Sequence, residues 1–83
     1  MDGKYEEAIL AFERAIKIDP RSVEARIGLA RAYVAAGQPD KAEEVLKEAM
    51  EIDPMRPEPY IELAKIYINQ GNIEEAVKYL IKD

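Results

Sequence analysis

Three pairs of adjacent carboxylates, Glu6-Glu7, Glu43-Glu44 and Glu74-Glu75, come nearest in this chain to a type and spacing that could do chemistry. Two carboxylates facing one cleft can serve as general acid and nucleophile, provided their environments differ enough to drive their pKa values apart. These pairs instead occupy one repeated place, at the start of an amphipathic stretch, where acidic side chains favour the helix dipole. Glu43 and Glu74 each have a lysine four residues on, Lys47 and Lys78, so the pairs read as a solvated, ion-paired face. The chain of 83 residues has no His and no Cys. The commonest general base and metal ligand is therefore missing, and so is every thiolate site or disulfide. The Asp residues form no D-x-D-x-D-G calcium loop. Gly3, Gly37 and Gly71 fall where helices end and make no phosphate-cradling loop. The residues imply no enzyme, no metal and no cofactor.

Bulk properties narrow the partners. A formal net charge of −5 argues against nucleic acid, which wants a basic face. No apolar run approaches the ~18 residues needed to span a membrane, and the start MDGKYEE does not read as a signal peptide. The expectation is a soluble chain without a membrane role, cytoplasmic by default. A composition of 48% hydrophobic and 35% charged residues with only four Gly argues against disorder.

The elements that position these residues repeat. Ala8, Ala42 and Ala76 stand 34 residues apart, and so do Gly3, Gly37 and Gly71. Asp19-Pro20 and Asp53-Pro54, Leu29 and Leu63, Tyr33 and Tyr67, and Leu46 and Leu80 keep the same step. Self-similarity at such a period marks a solenoid whose units bury their apolar faces on one another. Apolar residues recur at i, i+3, i+4 and i+7 in five windows, such as Tyr5, Ala8, Ile9, Phe12, Ala15 and Ile16, and strand alternation is absent. Helices are predicted at about 4–18, 23–36, 39–52, 57–70 and 73–82. Gly37 and Gly71 suit the left-handed turn that closes a helix, and Pro39, Pro57 and Pro59 suit first turns. Ser22 suits an N-cap, and Asn72 with Glu75 has the form of a capping box. Ala30, Ala42, Ala64 and Ala76 are small where paired helices must approach. Leu29, Leu63, Tyr33, Tyr67, Phe12, Leu46 and Leu80 are expected to fill the space between hairpins.

This spacing resembles the tetratricopeptide repeat family, a helix–turn–helix unit of 34 residues. Leu29, Ala30, Tyr33, Gly37, Ala42, Leu46, Ala49 and Pro54 stand at signature positions. Tyr60, Leu63, Ala64, Tyr67, Gly71, Ala76 and Leu80 repeat them. Arg26 departs from the pattern, because the family prefers a large aromatic there, and Tyr60 supplies one a repeat later. The resemblance implies an all-α fold: antiparallel hairpins stacked as a short right-handed α-solenoid of about five helices. It lays the chain out as one domain over 1–83. Residues 1–22 are the second half of a repeat, 23–56 a full repeat and 57–83 a nearly full, clipped one.

The family uses the first helix of each hairpin to line a concave face where peptides dock. That implies a protein–protein interaction scaffold whose partner is a protein or peptide segment. The inward candidates are Glu24, Ile27, Arg31 and Val34, then Glu58, Ile61, Lys65 and Ile68, with Asn69 at the rim. Arg31 and Lys65 in one repeated slot suit an acidic or carboxylate-ended peptide, or else balance Glu24, Glu58 and Glu62. A second reading is self-association. On the frame both ends of the stack lack a covering helix, leaving Ile9, Phe12 and Ile16 at one end and Val77, Leu80 and Ile81 at the other for a homo-oligomer.

Overall fold

A computed structural model of the protein, describing residues 3–81, contains five helices: α1 (Lys4–Ile18), α2 (Val23–Ala35), α3 (Pro39–Ile52), α4 (Pro57–Asn69) and α5 (Ile73–Leu80). Pro39 and Pro57 each open a helix, where a missing N–H costs nothing. The Ser22 hydroxyl accepts the Ala25 N–H at 3.1 Å and caps α2. Gly37 and Gly71 take φ of 82° and 79°. At each, the glycine N–H donates to a carbonyl three residues back and the next N–H to one five back: Gly37 to Val34, Gln38 to Tyr33, Gly71 to Ile68 and Asn72 to Tyr67. These are Schellman closures, and they end α2 and α4 one residue before the sequence-based limits. The expected capping box at Asn72 is corrected, since its side chain caps nothing. Its N–H is already engaged in closing α4, so Asn72 belongs to two helix ends at once. α5 ends at Leu80 with Ile81 as its C-cap, and residue 82, the last of the predicted fifth helix, lies outside the described residues.

Small residues let the helices pair. Ala30, Ala42, Ala64 and Ala76 are at most 1% exposed, so a larger side chain has no room there. Ala30, Ala42, Leu46, Leu63 and Ile66 form the central cluster, and Tyr33, Met50, Tyr67 and Tyr79 pack against it. Leu80 departs from its expected role: it is 53% exposed where Leu46, its counterpart 34 residues earlier, is buried. The Phe12 ring lies over Gly28, where a Cβ would come within 2.3 Å of Cε1. Glycine is what lets α1 seat on α2.

Arg26 fills its aromatic slot by hydrogen bonding. Its Nη1 donates to the Pro20 carbonyl at 2.6 Å and its Nε to Glu48 at 3.2 Å. One repeat later the Tyr60 hydroxyl donates to the Pro54 carbonyl at 3.3 Å. Both side chains satisfy the same turn carbonyl, so the departure from the pattern leaves the turn intact.

Each helix packs on the next in sequence, and α2 also meets α4. Among the described residues, α1, α3 and α5 do not meet one another. A stack that touches along one side and parts along the other is curved, with α2 and α4 on its inner face.

Candidate functional site

On the inner face most charges have partners, and Arg31, Glu24 and Glu58 are exposed while Glu62 and Arg56 are half-buried. Arg31 Nη2 meets Glu62 Oε2 at 2.7 Å, tying α2 to α4, and this contact raises the Arg31 pKa. Arg56, in the turn before α4, reaches Glu24 at 2.9 Å and Glu58 at 3.3 Å. The Glu24 carboxyl is held below its ordinary value, first by its own backbone N–H and then by Arg56. Arg31 keeps most of its side chain open in its pair, whereas the Glu62 side chain is only 15% exposed. Lys65 is exposed and makes no ion pair among the described residues.

The apolar candidates divide. Val34, Ile61 and Ile68 are 38%, 41% and 46% exposed. Ile27, in the same repeated slot as Ile61, is buried with Val23 and Ala49, and Ile52 packs against them. The reason is helix length. α3 runs to Ile52, whereas α5 as described ends at Leu80, the counterpart of Leu46, and among the described residues no turn of α5 covers Ile61 as Ala49 and Ile52 cover Ile27. Asn69 lies at the rim with Val34, on a cleft of about 300 Å³ at the end of the face. A second cleft, about 310 Å³, opens beside Ile61 and is walled by Met55, Pro57, Tyr60, Tyr79 and Leu80. Glu62 is among the charges that Arg31 and Lys65 are expected from the sequence to balance, and Arg31 does pair with it. Sequence spacing did not single out Arg56, because its partner Glu24 lies about one repeat away, outside any helical window.

At the two ends of the stack, Ile9, Phe12 and Ile16 are half-buried. Leu10 and Ile18 are the more open apolar side chains of α1, at 53% and 85%. Val77, Leu80 and Ile81 are open at 43%, 53% and 69%.

Between the hairpins, the Tyr67 hydroxyl donates to Glu43 Oε2, which Lys47 Nζ approaches at 3.1 Å. The Tyr67 bond, seconded by Lys47, holds the Glu43 carboxyl below its ordinary value, and the same bond raises the phenol. The Glu43 contribution is therefore present above the unfolded carboxylate value, near ~4.3, and is lost as pH falls through the lower folded value. The Tyr67 contribution is present below the ordinary phenol value, ~10, and is lost as pH rises through the higher folded one. Tyr67→Phe is expected to cost about 1.5–3 kcal/mol at neutral pH, the range for a hydrogen bond to a charged group. Urea midpoints taken from acid to alkaline pH should show the cost shrinking at both extremes. A variant curve parallel to the wild type throughout would refute the coupling.

Among the described residues no helix is long and apolar enough to cross a membrane, and no group of three or more acidic side chains is placed to hold a metal ion. Hairpins of a first (A) helix, α2 or α4, and a second (B) helix, α3 or α5, stacked with the A helices inside, define an α-helical repeat protein. The tetratricopeptide repeat family matches residues 1–58 and again 34–82, and the chain belongs to that family. Its domains mediate protein–protein interaction and are typically non-enzymatic scaffolds. The comparison with curated proteins gave no match.

Proposed function

We propose that the chain is a non-enzymatic interaction module that seats a peptide or protein segment on the inner face formed by α2 and α4. One observation supports this reading: Val34 and Ile68 are left open on the helices that also present Arg31 and Lys65. Aliphatic contacts flanked by cations fit an extended segment with apolar side chains and a carboxylate. The overall charge of −5 favours a protein over a nucleic-acid partner. Peptides selected from a displayed random library should carry acidic groups. Arg31→Glu with Lys65→Glu should weaken them by at least about tenfold, ~1.4 kcal/mol, with the helical circular-dichroism signal unchanged. Selected peptides that bind the double variant as well as the wild type would rule the inner face out.

The second reading, self-association through the ends of the stack, is favoured by the open aliphatics of α5. Light scattering on a sizing column tests it, and a strictly monomeric mass at high concentration contradicts it.

A further inference from the structure

Ile73, Val77 and Ile81 stand at i, i+4 and i+8 on α5 and the residue that ends it, and with Leu80 they make one aliphatic seam. All four are exposed, at 54%, 43%, 69% and 53%. Their counterparts 34 residues earlier are Pro39, Glu43, Lys47 and Leu46. On α3 that seam is polar: Glu43 and Lys47 pair, and Glu43 accepts the Tyr67 hydroxyl of the next A helix. The joint between α1 and α2 also uses a tyrosine and a carboxylate, Tyr33 and Glu13 at 3.3 Å. A further A helix of the kind this chain makes would bring a tyrosine hydroxyl to α5 and meet only aliphatic side chains. An unpaired hydroxyl buried there is unfavourable, so the seam selects an apolar surface.

The spacing says which surface. Ile73, Val77 and Ile81 are symmetric about Val77. Two copies of α5 laid antiparallel across a two-fold axis at Val77 therefore set Ile73 of each copy against Ile81 of the other. An isologous contact requires this self-complementarity. α1 offers no such match, since Arg14 stands at i+4 between its open residues Leu10 and Ile18 and breaks any aliphatic row.

We infer that the α5 seam is a two-fold docking surface for the α5 seam of a second copy of this chain. The inference rests on the self-association reading and fixes its geometry: a closed dimer, not a head-to-tail stack. A single short seam buries less than the ~800 Å² per partner of a standard interface, so the dimer forms at high protein concentration.

The absence of cysteine makes the test clean. Light scattering at high concentration should give twice the monomer mass for the full chain, and Val77→Glu should return it to the monomer with its helical signal intact. Val77→Cys, at the axis, should form a disulfide-linked dimer under mild oxidation, whereas Leu10→Cys and Ile18→Cys should stay largely unlinked. A monomeric wild type that also fails to link through Val77→Cys overturns self-association altogether. A wild type that associates yet links better through Leu10→Cys or Ile18→Cys, or grows beyond a dimer, overturns the two-fold geometry alone.

Discussion

Leu46→Ala is expected to remove about 2–5 kcal/mol of folding free energy and to do so for all five helices together. Leu46 has no exposed surface and lies in the cluster that joins both hairpins, against Ala30, Ala42, Leu63 and Ile66. Truncation deletes buried methyl groups and leaves a cavity that helices already in contact at alanine cannot close. At roughly 0.05–0.15 kcal/mol per residue, a chain of this length has about 4–12 kcal/mol in all, so the loss is a large fraction of the total. Urea unfolding followed by circular dichroism should show a far lower midpoint with the same slope. Leu10→Ala, at an exposed site, should stay within about 0.5 kcal/mol of the wild type. Equal effects from the two substitutions would contradict the placement of the core.

Gly28→Leu should act on one joint. A Cβ at Gly28 falls 2.3, 2.5 and 2.9 Å from three atoms of the Phe12 ring, and a leucine extends further into it. Leucine is a better helix former than glycine, so α2 itself gains, and the loss belongs to the contact with α1. Overpacking costs typically about 1–3 kcal/mol. α1 meets only α2 among the described helices, so its release leaves the α2–α5 stack standing, as expected when each unit leans on its neighbours. Hydrogen exchange should accelerate at the amides of α1 and stay slow in α3 and α4. Phe12→Ala should remove the clash, so the double variant should lose less than the two single losses combined. Exchange that speeds up uniformly, or not at all, would show that the ring does not hold α1.

Helix positions were legible in the sequence because the repeated signals have local physical causes. Proline at a first turn, Ser22 at a cap and glycine in the left-handed turn each act within a few residues, and all four helix starts from Val23 onward were placed as found. Asn72 was misread because one residue serves two helix ends, which a motif taken by itself does not reveal. The 34-residue frame assigns Ile27 and Ile61 to one slot, yet the first is buried and the second open, because among the described residues the covering turn of α3 has no counterpart. Leu46 and Leu80 part for the related reason that α4 stacks on α3 and no described helix stacks on α5. Period gives residue type at a slot, whereas exposure depends on what the neighbouring unit supplies. The ion pairs of Arg31 with Glu62 and Arg56 with Glu24 join residues 31 and 32 apart in sequence. Only the stacking of α2 beside α4 brings them together.

On the proposed function, the inner face of α2 and α4 receives a protein segment. Amide chemical shifts of the isotope-labelled chain, followed while a library-selected peptide is titrated in, test it most directly. Shifts are expected to concentrate at Arg31, Val34, Lys65, Ile68 and Asn69, with α1 and the outer side of α3 unchanged. Shifts gathered instead on Ile73, Val77 and Ile81, or on α1, would contradict it.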